Sequence, residues 1–180
     1  MRYPRGERHQ TGQATVITRR SLLLAGVALP LGACAPRSKF RHYRGPAVTS
    51  IRVYKAERRM DLMHGDRVLR SFAIELGSNP VGHKIQAGDG RTPEGSYVID
   101  RRNPNSAYHL SIGISYPNAE DRARAAALGV DPGGDIFIHG TPRERRRDRD
   151  WTAGCIAVSN REMEEIYAMV QDGTPIHIFP

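Results

Sequence analysis

Two residues near the C-terminal end have the types and spacing needed for acyl transfer. Ile138-His139-Gly140 is followed, sixteen positions after the histidine, by Cys155 within Thr152-Ala153-Gly154-Cys155-Ile156. Each sits at the mouth of a short apolar run that reads as a strand, and two adjacent strands would bring thiol and imidazole together. A free thiol with a pKa of ~8.5 is mostly protonated at neutral pH; an adjacent imidazole can form the thiolate and later return the proton. Gly154 lets the backbone approach a substrate closely, and the amides of Gly154 and Cys155 are candidate donors to an oxyanion. For isolated residues the ordinary reading is a buried structural cysteine and a satisfied histidine. Their joint placement at glycine-flanked strand ends favours chemistry. One Cys and one His lack two further ligands at zinc-like spacing, so no metal and no cofactor is expected.

The elements that must position this pair are mostly strands. Residues 50–55 alternate apolar and polar side chains, 60–63 suit a second strand, 64–66 a turn and 67–76 a third strand. Residues 77–95 hold five glycines and two prolines and read as loop. Further strands are predicted over 96–102, 108–116, 135–138, 155–158 and 175–179. A short helix over 121–128 is closed by Gly129. A second starts at Ser159, with Glu162 at capping-box spacing, and runs to about Gln171 with Met163, Ile166, Tyr167 and Val170 on one face. The expected fold is mainly β with two short helices (α+β), as a sandwich or partly closed barrel.

At 180 residues there is room for one domain and a tail. A domain of ~130 residues can bury roughly two-thirds of its unfolded surface without a metal or disulfide. The excess of 27 Lys+Arg over 19 Asp+Glu suggests an anionic neighbourhood. Residues 1–34 read as a signal peptide: basic residues end at Arg19-Arg20, and an apolar run over 22–31 is too short to span a bilayer, which needs ~20 residues. Leu31-Gly32-Ala33-Cys34 resembles a lipobox whose Cys34 is lipidated, with plain signal cleavage as the alternative. Thr18-Arg19-Arg20-Ser21-Leu22-Leu23 resembles a twin-arginine signal. Residues 35–47 read as a basic tether and 48–180 as the domain, which leaves Cys155 as its only thiol. Nucleic-acid binding fits the charge, but the export signal and the lack of a recognised motif exclude it.

His-Gly, a spacer, and Ser/Thr-x-Gly-Cys with an apolar residue resemble the signature of the YkuD (ErfK-like) L,D-transpeptidases, in the YafK-like branch. The branch pattern is similar to residues 150–157 with Asn160, to Gly88-Asp89-Gly90-Arg91-Thr92-Pro93-Glu94-Gly95, and to 108–111 through 114–118; the resemblance spans about 48–180. It implies an L,D-transpeptidase-like β domain in which Cys155 is the nucleophile and His139 the general base. Gly140 would orient the imidazole through its carbonyl, and Thr152 would steady the nucleophile loop. The implied substrates are peptidoglycan stem tetrapeptides, attacked at diaminopimelate with loss of D-alanine. An amine then gives a 3→3 cross-link or a protein attachment, water a carboxypeptidase or amidase. A non-catalytic peptidoglycan-binding lipoprotein is the remaining alternative. The implied location is the periplasm, lipid-anchored, with the outer membrane favoured because Ala35 rather than aspartate follows Cys34.

Two departures from the commoner motif bear on specificity. Ala153 stands where a second histidine is usual, making His109 a candidate substitute. Ala157 stands where Arg or Asn could meet a substrate carboxylate, making Arg91 a candidate to take over. Residues 143–150 form a charged loop, read either as solvated surface or as a lid or basic rim over the site. Trp151, at its end, would anchor that loop or line the cleft for substrate.

Overall fold

The computed structural model describes residues 37–142 and 149–180. The signal-like N-terminus with Cys34, and 143–148 of the charged loop, lie outside the described residues. The elements in chain order are β1 (Ser50–Tyr54), β2 (Arg59–His64), β3 (Arg67–Ala73), β4 (Gly95–Asn103), β5 (Ser111–Ile114), α1 (Ala119–Ala127), β6 (Phe137–His139), β7 (Ile156–Ala157), α2 (Asn160–Met169) and β8 (Pro175–Phe179). The strands form one sheet in the order β3-β2-β1-β8-β4-β5-β6-β7.

Period-two alternation sets which face is buried. Ile51 and Val53 of β1 pair in parallel register with Ile176 and Ile178 of β8, and all four are buried. Ile99, Ile112, Ile114, Ile138 and Ile156 continue the apolar layer along the sheet. Helix α2 covers it with Met163, Ile166, Met169 and Val170, while Tyr167 is only partly buried, its ring under the Arg102 guanidinium at 3.9 Å. The reciprocal cap of α2 forms as the spacing demands: Ser159 Oγ accepts from Glu162 N, and Glu162 Oε2 accepts from Ser159 N at 2.9 Å. Helix α1 begins earlier than the sequence reading, at Ala119, because Asn118 caps it by accepting from Glu120 and Asp121 amides.

The segment after β3 closes the sheet on itself. Glu75 bridges to Ala157 and Gly77 to Thr152, so the edge that begins at β3 is tied to the edge that ends at β7. The architecture is therefore a mainly β, partly closed barrel with two helices, as the alternation implied. Several predicted strands are shorter than expected, β3 and β5 most of all. β3 stops at Ala73 because 74–78 must leave it to reach the loop around Thr152, and β5 starts only at Ser111 because His109 takes a left-handed backbone, φ +72°.

The glycine-rich segment between Gly77 and the start of β4 has no strand of its own but is held firmly. Buried Lys55 donates to Glu94 Oε1 at 2.8 Å, Gly82 O at 2.6 Å and Thr92 O at 3.0 Å. Asp89 accepts from Lys84 Nζ and from the amides of Ile85, Gln86 and Arg91. Burial pushes the Asp89 carboxyl up, but the Lys84 ammonium and those three amides outweigh it and hold it at about 2. A folded pKa below the unfolded one contributes stability above the unfolded value, lost as pH falls through the folded one. The wild-type chain is thus expected to lose melting temperature between about pH 4 and pH 2 more steeply than Asp89→Asn. Equal slopes in a thermal-denaturation series would refute this anchoring role.

Residues 37–47, without helix or strand, lie against the domain. Lys39 Nζ donates to Pro104 O and His109 O, and Arg41 pairs with Glu164 at 2.7 Å.

Candidate active site

β6 and β7 run parallel, with Ile138 opposite Ile156 and His139 opposite Ala157. Ile138 and Ile156 point into the core at 0% exposure. Alternation sends His139 and Cys155 to the other face, where both line one cavity of about 290 Å³. Tyr108, Ser111, Asp135 and Phe137 share that cavity.

The imidazole is fixed on three sides. His139 Nδ1 lies 2.6 Å from Gly140 O. A carbonyl only accepts, so Nδ1 carries the proton and Nε2 keeps its lone pair in the neutral ring. Tyr108 stacks on the ring at 4.5 Å and 30°, and Trp151 meets it edge-on at 5.7 Å and 65°. Gly140 has no room for a side chain: a Cβ would stand 2.4 Å from Asn160 Oδ1, which caps Thr141 N. Trp151 therefore stands beside the imidazole, and Tyr108, which the sequence marks only as part of a motif, forms the stack and a cavity wall.

The thiol sits on a loop braced by backbone. Thr152 N donates to Leu76 O and Ser78 N to Thr152 O. Thr152 Oγ1 donates to Cys155 O at 2.7 Å and accepts from Gly154 N at 3.2 Å. Gly154, at φ +133°, is pressed so closely on segment 77–95 that a Cβ would stand 2.6 Å from Arg91 O. Asp150 accepts from Arg58 Nε and Nη2 and from Leu76 N at 3.0 Å, fixing the start of the loop. Arg58 has no local motif, because its partner lies far along the chain. With the Gly154 N–H engaged by Thr152, the Cys155 amide, unpaired among the described residues, is the available oxyanion donor.

Cys155 Sγ accepts weakly from Phe137 N at 3.4 Å and lies 3.5 Å from Asp135 O. Burial pushes the thiol up from its usual value; the Phe137 amide, Lys84 and Arg101 oppose this, and the Asp135 charge adds to it. Burial pushes the His139 imidazole down, against its bond to Gly140. Both shifts favour the neutral thiol–imidazole pair over the ion pair at rest. Alkylation of Cys155 by iodoacetamide is therefore expected to titrate with an apparent pKa above the ordinary thiol value of ~8.5. The rise from His139 ionisation should fall below ~6.5. A reactive plateau already present at pH 6 would show an ion pair instead.

Two sequence candidates lie elsewhere. His109 Nε2 is 3.1 Å from Glu164 Oε1 and lines a neighbouring depression with Lys39 and Asn160, not the Cys155 cavity. Its left-handed backbone turns it away from its neighbour Tyr108, so it does not replace the missing histidine at Ala153. Arg91 supplies its carbonyl behind Gly154, but its guanidinium points to His83 O at 3.4 Å in a separate depression with Glu94 and Arg124. It is not at hand to meet a carboxylate beside the thiol.

The YkuD family model, the L,D-transpeptidase catalytic domain, matches residues 49–178. YafK of Escherichia coli (strain K12) is 32% identical over 143 residues, covering 72% of this chain and 53% of that protein. YkuD of Bacillus licheniformis (strain ATCC 14580) is 27% identical over 128 residues, covering 68% of this chain and 61% of that one. The structure of the helical cell shape determining protein Pgp2 from Campylobacter jejuni is 27% identical with a TM-score of 0.60, covering 80% of this chain and 51% of that chain. The chain spans about half the length of its YafK relative.

Proposed function

The chain belongs to the YkuD family of L,D-transpeptidase catalytic domains, and on that premise we propose that it is a peptidoglycan L,D-transpeptidase working through a Cys155 acyl-enzyme. The observation that carries this reading is the sharing of one cavity by the Cys155 thiol and an imidazole whose Nδ1 proton is tied to Gly140 O. That bond leaves Nε2 as the basic atom.

His139 Nε2 takes the thiol proton as Sγ forms a bond to the carbonyl carbon of diaminopimelate in a stem tetrapeptide. The Cys155 amide donates to the oxyanion that develops on the carbonyl oxygen. Collapse breaks the C–N bond, and the proton on Nε2 passes to the departing D-alanine amine, leaving a thioester on Cys155. An acceptor amine, losing its proton to Nε2, then forms the new amide. The thiolate leaves and regains its proton from the imidazolium. Water in place of the amine gives a carboxypeptidase or amidase outcome on the same thioester; a cell-wall-attached protein is a further candidate acceptor or substrate.

The leader-like residues 1–34 and the lipobox at Cys34 support a periplasmic enzyme held to a membrane by lipid, the outer membrane favoured. Incubating the chain with disaccharide-tetrapeptide and following products by mass spectrometry tests the reaction. A cross-linked dimer is expected; tripeptide alone would move the reading to hydrolysis, and unchanged substrate would end it.

A further inference from the structure

Arg101 reaches two residues of the cavity wall, Phe137 and Asp135, from two strands away. It lies on β4 opposite Gly113 of β5. A Cβ at Gly113 would stand 2.5 Å from Arg101 Cγ and 2.9 Å from its Nε, so the missing side chain lets the arginine lie flat across β5. Its guanidinium carbon ends 4.5 Å from the centre of the Phe137 ring on β6. Nη2 donates to Asp135 Oδ1 at 3.1 Å, and Nη1 donates to Asp100. Phe137 and Asp135 both line the cavity of Cys155 and His139.

The two ends of the Arg101–Asp135 pair differ in freedom. The Arg101 side chain is 41% exposed and is held by a ring beneath it and by Asp100, whereas the Asp135 side chain is 91% exposed. An ion pair with so exposed a partner is worth little, so another carboxylate displaces Asp135 at small cost. A guanidinium held in plane by an aromatic ring is a preorganised donor fork for a carboxylate.

Building on the peptidoglycan reading above, we propose that Arg101 is the residue that recognises a carboxylate of the acidic donor peptide, with Asp135 occupying that place until the substrate arrives. The recognised group is either the C-terminal carboxylate of D-alanine or the side-chain carboxylate of diaminopimelate, the two that flank the scissile bond. Arg101 takes the task that Arg91, held elsewhere, does not perform. Its charge also acts on Cys155 in the direction that favours the thiolate.

Calorimetric binding to the Cys155→Ala protein tests this without turnover. Three ligands are needed: disaccharide-tetrapeptide, its C-terminal carboxamide, and its diaminopimelate carboxamide. Adding Arg101→Ala is expected to weaken the first by about 10- to 100-fold, the range for losing a hydrogen bond to a charged group. One carboxamide should bind equally weakly with and without Arg101, which identifies the carboxylate. Arg101→Lys should restore part of the affinity, and Asp135→Asn should preserve or tighten binding. Equal weakening of all three ligands, no weakening, or no binding at all would overturn the assignment. Selective dependence on Arg101 alongside a wild-type chain that leaves tetrapeptide intact would instead count against the proposed reaction alone.

Discussion

Replacing Cys155 by alanine is expected to lower release of D-alanine from disaccharide-tetrapeptide by at least about 10⁴-fold, the scale seen when a covalent nucleophile is removed. The sulfur is the only thiol among the described residues, and its contacts are two weak ones, with Phe137 N and Asp135 O. Removing it therefore leaves the braces of its loop intact, since Thr152 acts on backbone atoms and Asp150 on Arg58 and Leu76. The melting temperature should stay within a few degrees of wild type, in line with an exchange that removes one atom at a cavity wall. An alanine variant with wild-type turnover would make some other group the nucleophile. A variant that is inactive because it is unfolded would be recognised by its melting curve.

The second large effect is expected at the base. His139→Gln should cost about 10²- to 10⁴-fold in kcat/KM, the usual contribution of a positioned proton-transfer group. Glutamine can keep a hydrogen bond toward Gly140 O, but it offers no basic nitrogen at the position of Nε2. It also gives up the stack between Tyr108 and Trp151. The loss should depend on pH in a particular way. Solvent forms the thiolate unaided above the raised pKa of Cys155, so the gap between wild type and variant should narrow as pH rises past ~8.5. It should not close, because the departing amine still needs a proton from Nε2. A gap that is constant from pH 6 to pH 10 would show that His139 positions the loop rather than moving a proton.

The fold was largely readable from local pattern. Alternation in 50–54 and 175–179 requires a sheet with one buried face, and the Ser159–Glu162 spacing requires a helix start. The strand limits were harder to read where a distant partner decided them. Nothing in residues 67–76 says that the last part leaves β3; the pull is exerted by Ala157 and Thr152, some eighty residues away. α1 starts before its apolar periodicity does because Asn118 caps it through its side chain. At the site, the neighbourhood of Cys155 and His139 could be expected because each lies at a strand end. The bracing of their loop by Arg58, Asp150 and segment 77–95 could not. Such contacts join residues far apart in the chain and leave no periodic trace.

Composition and motif alone therefore determined the pair of residue types proposed for the chemistry, the glycines beside them, and a mainly β family fold to carry them. These are properties of residue type and short-range spacing, which the chain carries even when unfolded. Tertiary structure decided what faces that pair. His109 is turned to Glu164 by its own left-handed backbone, and Arg91 is spent behind Gly154. Arg101 comes forward because the register of β4 on β5 sets it opposite Gly113. A side chain's reach depends on which residue the neighbouring strand places across from it, and strand register is settled only when the sheet closes.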